Sequence, residues 1–221
     1  MTRTLLLSGG GDFTDPWHPF SETSARIAEL LTELGHEVRT SDAVGLSLGQ
    51  LSDSSARPDL LVINAGNAER ASATDSAAIV GLADYLAAGL PLLVMHVAST
   101  AFPDEPAWED IVGGRWVRGT TMHPDWAEGR VGVATDAHPI TVDVNDFTVF
   151  DELYSYLRVR DGIVPLAWHD YEGVRHPLLR AHEVGSARIV YDALGHTAQS
   201  FDAPAHATLV QNSARWLLRE S

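Results

Sequence analysis

The sequence predicts an α/β protein built on an open, mostly parallel sheet with helices on both faces. Three observations predict it. Apolar runs of strand length, such as Leu60-Leu61-Val62-Ile63 and Leu90-Pro91-Leu92-Leu93-Val94-Met95, are bounded by turn residues and lack polar alternation, the pattern of strands buried on both faces. Segments with helical spacing fall between these runs. The connections are short, as in repeated strand-helix-strand units.

Thr4 to Ser8 is the first buried strand, and it runs into Gly9-Gly10-Gly11-Asp12. The dinucleotide fingerprint needs G-x-G-x-x-G, and Thr14 stands where its last glycine belongs, so a tight turn is predicted instead. From Thr23 a helix is expected: Ile27, Leu30, Leu31 and Leu34 share one face and Gly35 sits at its C-terminal cap. His36 to Thr40 reads as a second strand, and Leu60 to Ile63 as a third ending at Asn64-Ala65-Gly66. The next helix runs from roughly Thr74 to Ala88 and stops at Gly89. The central strand follows and ends at His96. Beyond it, Trp108 to Ile111 suggests a short helix, Val131 to Thr135 a strand, and Ser155 to Val159 and Ile163 to Trp168 two more strand-like pieces. These form an antiparallel extension over the sheet. Arg188 to Leu194 is a late buried strand, followed by Gly195-His196, and Ala205 to Arg219 is the closing helix. With no repeat, linker or charge block, residues 1–221 are expected to form one domain.

Composition narrows the function. A formal charge of −15 argues against nucleic acid or an anionic membrane surface as partner. The absence of cysteine excludes disulfides, thiolate metal sites and a cysteine nucleophile. The N-terminus runs directly into a strand without a signal-peptide pattern, and no apolar stretch is long enough to span a bilayer, so a cytoplasmic protein is expected. Self-association into a homo-oligomer is left open.

Two buried strands each end in a histidine, His96 and His196, and in an open parallel sheet ligands bind beyond the carboxyl ends of the strands. Glu152, in Asp151-Glu152-Leu153-Tyr154, adds a carboxylate. Histidines with a carboxylate can move protons or hold a divalent metal. No compact metal motif such as His-Glu-x-x-His is present, so folding must assemble any such site. His96, Glu152 and His196 are the catalytic candidates. His18, between aromatics just past the first strand, is placed at the pocket rim.

Gly89 through Phe102, Gly113-Gly114 followed by His123-Pro124, His138-Pro139-Ile140-Thr141, Asp151-Glu152-Leu153-Tyr154 and Leu194-Gly195-His196 occur in the order seen in trehalose-utilisation (ThuA-like) proteins. The chain resembles that family from about the first strand to the final helix. The resemblance implies a flavodoxin-like sheet of the class I glutamine amidotransferase type and a link to carbohydrate metabolism, with trehalose or a keto-glycoside-like sugar as substrate. It departs from glutaminases at both catalytic positions. His96 lies in the elbow region where those enzymes carry cysteine, and Ala198 stands two residues after His196, where they carry glutamate. Thioester chemistry is therefore absent. Ser99, the hydroxyl nearest His96 on the elbow side, is read as starting the next turn.

The expected activity is of hydrolase or lyase type on a sugar; the rival is a non-catalytic ligand-binding or assembly module on the same fold. His123 matches a family motif and joins His18 at the rim. Trp17, Phe20, Trp116 and Tyr154 are candidate walls for a sugar ring. The family-matching set His96, His123, Glu152 and His196 is the candidate ligand set for a zinc or manganese ion. Asp12 and Glu22 are read as capping or solvating the first loop, His138 as fixing a loop, and His169, His176, His182 and His206 as surface or structural.

Overall fold

The structure, a computed structural model, describes residues 1–66 and 71–220. In chain order the elements are β1 (Arg3–Ser8), α1 (Phe20–Glu33), β2 (Glu37–Ser41), α2 (Val44–Gly49), β3 (Leu60–Asn64), α3 (Asp75–Ala87), β4 (Leu92–Met95), α4 (Pro106–Val112), β5 (Gly114–Arg115), β6 (Ala127–Val133), β7 (Phe147–Asp151), β8 (Arg158–Val159), β9 (Pro165–Tyr171), β10 (Val174–Val184), β11 (Ala187–Asp192) and α5 (Pro204–Leu217). Nine strands form one sheet in the order β2-β1-β3-β4-β11-β10-β9-β6-β7, and β5 pairs separately with β8.

The two halves of the sheet follow from two residue patterns. β2, β1, β3, β4 and β11 are mutually parallel, and β3 and β4 are buried at every position, as their unbroken apolar runs demand. α1 packs against α5, and α2 against α3, covering this half with helices on both faces. β10, β9, β6 and β7 run antiparallel, with exposed and buried residues interspersed. Because β4 and β11 are adjacent and parallel, with Met95 opposite Asp192, the segments that follow them leave the sheet side by side. That adjacency brings His96 and His196 to one edge.

Some elements differ from expectation. The sequence pattern predicts no strand over Val174–Val184, yet this is the longest strand in the sheet. Its pattern is broken by a register shift between Pro177 and Leu179 and by the fully buried Arg180, so no clean period is visible. His176 is buried on this strand, and His169 on β9 likewise, so both are structural and neither is on the surface. α2 was also unexpected; six residues are too few to show a helical period. α1 begins at Phe20 rather than Thr23, and Ser155 to Val159 contributes only the two-residue β8. The glycine loop closes as a turn, with Phe13 N donating to Gly10 O at 3.0 Å. No helix among the described residues is long and apolar enough to cross a membrane.

Candidate active site at the carboxyl edge of the sheet

His96 opens a short 3-10 turn, His96–Thr100, immediately after β4. Its φ is 41°, a conformation that costs a non-glycine residue about 1–3 kcal/mol and persists only where surroundings enforce it. Here the Tyr191 hydroxyl donates to the His96 carbonyl at 2.8 Å, and Ser99 Oγ donates to the same oxygen at 3.4 Å. Ser99 is thus buried and committed to the turn. The ring of His96 is fixed as tightly. Nδ1 lies 2.7 Å from Ala193 O, which can only accept, so Nδ1 carries the proton. Nε2 is then a bare lone pair, and it accepts from the Tyr154 hydroxyl at 2.9 Å. Burial, with His18 and other imidazoles nearby, holds His96 well below the usual histidine value, so it is neutral.

His18 is fixed by the same logic from a different element. Asp15 accepts from Trp17 N at 2.7 Å, from His18 N at 2.9 Å and from His18 Nδ1 at 2.7 Å. Burial would raise the Asp15 carboxyl, but these bonds hold it below its ordinary value. His18 Nε2 is buried and has no hydrogen-bond partner. Its ring centroid lies 5.2 Å from that of His96 and 4.9 Å from that of His196. His18, placed at the rim by the sequence reading, therefore belongs to the centre.

His196 follows Gly195, whose φ of +112° suits glycine, and a Cβ there would stand 3.2 Å from Phe201. Gly195 N and His196 N donate to the two oxygens of Asp151 at 2.8 and 3.0 Å. His196 Nδ1 lies 3.2 Å from Glu152 Oε2 but lacks hydrogen-bond alignment, so it is close without being committed. Burial, reinforced by His18 and His123, lowers its pKa to about 4. Glu152 Oε2 also lies 3.6 Å from His123 Nε2 and 3.8 Å from His96 Nε2. Burial raises the Glu152 carboxyl, opposed by the neighbouring imidazoles of His123 and His18.

One ligand atom each from His18, His96, Glu152 and His196 falls within 4.8 Å of the others, so this group could hold a metal ion. His123 is the correction to the expected ligand set. Its ring is a third exposed and its Nδ1 donates to Pro124 O at 2.8 Å, so it stands at the rim beside Glu152 while His18 takes the inner place. The cleft above the cluster has a volume of about 490 Å³ and is lined by Trp17, Trp116, Arg118 and His123 together with His18, Glu152, Tyr154 and His196, while His96 is buried and forms no part of its wall. A groove of about 590 Å³ over β6 and β9 is larger but does not reach the cluster. Tyr154 lines the cleft from below its surface: it is buried, with its ring 4.3 Å from that of His96 and 4.7 Å from that of Trp116. Phe20 is buried at the start of α1 and lines no part of the cleft. Asp12 accepts from Ser72 Oγ, and His138 caps the 3-10 turn at Pro139–Thr141, so both serve loops.

Sequence reasoning missed the supports. Asp15 sits three residues before His18, a spacing that lets a loop carboxylate meet an imidazole. The motif Asp151-Glu152-Leu153-Tyr154 carries no sign of what Asp151 does. It is fully buried, and beyond Gly195 and His196 it also accepts from Ser200 Oγ. Ser200 gives its proton away, so His206 Nδ1, 2.9 Å from Ser200 Oγ, must donate; His206 Nε2 donates to Asp192 Oδ2 at 3.1 Å. Both nitrogens of His206 are donors, so it is an imidazolium paired with Asp192 directly and linked to Asp151 through Ser200. Burial alone would lower its pKa, but Asp192 raises it above the ordinary value.

The family model for trehalose utilisation, ThuA, matches residues 14–217. The chain belongs to the ThuA family. Solved structures agree on the fold. A ThuA-like protein from Parabacteroides merdae has a TM-score of 0.78 at 20% identity, covering 98% of this chain and 90% of its own. A cytoplasmic protein from Salmonella typhimurium has a TM-score of 0.64 at 12% identity, covering 98% and 97%. A glutamine amidotransferase from Thermotoga maritima has a TM-score of 0.57 at 9% identity, covering 99% of each. No curated protein matches the sequence. This ThuA chain thus has the flavodoxin-like amidotransferase fold, and it has no cysteine with which to act as a thiol glutaminase.

Proposed function

We propose that this chain is a small-molecule enzyme of carbohydrate metabolism whose cleft holds a divalent ion of the zinc or manganese class. One observation carries the reading. His18 and His96 each give the Nδ1 proton to a fixed acceptor, the Asp15 carboxylate and the Ala193 carbonyl, which turns both Nε2 atoms toward one cluster, that of His18 without a partner and that of His96 accepting only from the Tyr154 hydroxyl. Metal-binding histidines are oriented in this way by their outer partners. The imidazoles of His18, His96 and His196 supply a three-nitrogen set that leaves a coordination position for substrate. A bound ion would polarise a carbonyl or hydroxyl oxygen of the sugar. Glu152, its carboxyl raised by burial, moves the proton at substrate carbon or oxygen. Tyr154 orients His96, and Trp17 and Trp116 flank the sugar. A cytoplasmic location fits this reading, as does the name of the Salmonella neighbour.

Elemental analysis of untagged protein dialysed against zinc or manganese tests the ion. About one ion per chain is expected in the parent, with His18→Ala and His196→Ala losing most of it while remaining folded. Metal content far below one per chain in the parent removes the reading. Stoichiometric metal with no turnover of trehalose or keto-glycosides would instead favour the non-catalytic module.

A further inference from the structure

The cleft mouth carries one arginine whose circumstances differ from those of nearly all the others. Arg118 lies in a turn fixed by four-residue closure: Thr120 N and Thr121 N donate to Val117 O at 3.0 and 2.8 Å, and Val117 N donates to Thr121 Oγ1 at 2.8 Å. The backbone is therefore held, and the side chain is exposed along the cleft wall. Among the described residues Arg118 has no hydrogen bond and no ion pair. Apart from Arg39, on edge strand β2, every other described arginine has an acceptor. Some are carboxylates, as for Arg3, Arg26, Arg130, Arg158 and Arg175; others are backbone carbonyls, as for Arg57, Arg115 and Arg180. In a chain with 30 acidic and 15 basic residues, a guanidinium left with neither a carboxylate nor a carbonyl is unusual. Glu152, in the same cleft, is turned instead among three imidazoles.

We infer that the cleft takes a sugar bearing an anionic substituent, a carboxylate or a phosphate, and that Arg118 is the residue that reads it. The inference rests on the reading of the cleft as a sugar site and names the substrate class. A guanidinium presents parallel N–H donors that match two oxygens of one anion, whereas a neutral disaccharide has no use for a full charge at the mouth. The surrounding protein is strongly acidic, so an anionic ligand needs a local cation to enter, and among the described residues Arg118 is the arginine that lines this cleft. Trp17 and Trp116 line the same cleft as Arg118, so apolar ring faces for a sugar and a cation for its substituent are offered together.

Calorimetric titration with glucose, trehalose, glucuronate and glucose 6-phosphate tests this, on the parent, Arg118→Gln and Arg118→Lys, with metal content confirmed equal in all three. In the parent, at least one anionic sugar should bind on the order of tenfold or more tighter than glucose, the size expected of a charge-assisted contact. Arg118→Gln should erase that difference and leave glucose unchanged, and Arg118→Lys should retain part of it. Which of glucuronate and glucose 6-phosphate binds tighter identifies the anion as carboxylate or phosphate. If the neutral sugars bind as tightly as the anionic ones, or Arg118→Gln weakens all four alike, the anion inference fails while the sugar reading stands. If none of the four binds at millimolar concentration, the sugar reading fails and takes this inference with it.

Discussion

Two clusters of histidine and carboxylate meet at the end of β7, and they are built to opposite ends. Asp151 and Glu152 are consecutive, so they point to opposite sides of the strand end. Asp151 enters a closed network with Ser200, His206 and Asp192, in which every side-chain donor has an acceptor. Glu152 enters the open cleft, where His18 Nε2 and His196 Nδ1 have none. The closed cluster holds its histidine charged; the open one holds His96 and His196 neutral. A charged imidazole paired with a carboxylate fixes a backbone, and a neutral imidazole whose lone pair is free or held only by a hydroxyl can turn it to an electrophile. The same residue types therefore separate into a scaffold and a site according to whether their hydrogen bonds are complete.

The largest effect that would break this comparison is on the scaffold side. Asp151→Ala orphans Gly195 N, His196 N and Ser200 Oγ and leaves His206 with one carboxylate fewer. Breaking a buried ionic network by removing one partner costs about 3–5 kcal/mol. Urea unfolding should show that loss, and melting should fall by on the order of 10 °C. A loss under about 1 kcal/mol would mean that the turn carrying His196 is held by something else.

His206→Gln should come next, and its effect should depend on pH. The folded pKa of His206 lies above the ordinary 6.5, so its charged form stabilises the fold fully below about pH 6.5 and this stabilisation is lost as pH rises through the folded value. The stability gap between parent and His206→Gln should therefore narrow from neutral to alkaline pH. A gap that is constant or widens would show that His206 is not an imidazolium in the fold.

Glu152→Gln should behave in the opposite way. Burial raises the Glu152 carboxyl, so at neutral pH its ionised form costs stability, a cost absent below its unfolded value. The amide removes it, and stability should stay level or rise by about 1 kcal/mol, while turnover falls by on the order of a hundredfold. A clear loss of stability would make Glu152 part of the scaffold after all.

The sequence made one side of this comparison legible and hid the other. β3 and β4 announce themselves by nearly unbroken apolar runs, β11 by its Ile189-Val190 centre, and strand ends are where parallel sheets place ligands. His96 and His196 could be read from that alone. His206 could not: its partners Asp192 and Ser200 lie 14 and 6 residues away, and no motif links them. Asp15 and His18 were readable as neighbours, but only the folded loop shows that their contact turns Nε2 inward. Arg180 and Pro177 hid β10 because a buried arginine and a proline both violate the pattern by which strands are recognised.

The smallest expected effect decides whether His96 is a ligand or only a neighbour of the ion. In the structure its Nε2 lone pair already accepts from the Tyr154 hydroxyl at 2.9 Å. A metal at that nitrogen must displace this bond and leave a buried hydroxyl to find another acceptor. Tyr154→Phe removes the competitor and keeps the ring that stacks on His96 and meets Trp116. A net hydrogen bond is worth about 1 kcal/mol, so zinc affinity should rise roughly fivefold and urea stability should fall by about 1 kcal/mol. Titration against a chromophoric chelator reads the first quantity. Unchanged affinity would place the ion on His18, His196 and Glu152, with Tyr154 and His96 as a proton-transfer pair beside it. Weaker affinity would mean that the hydroxyl itself helps to hold the ion.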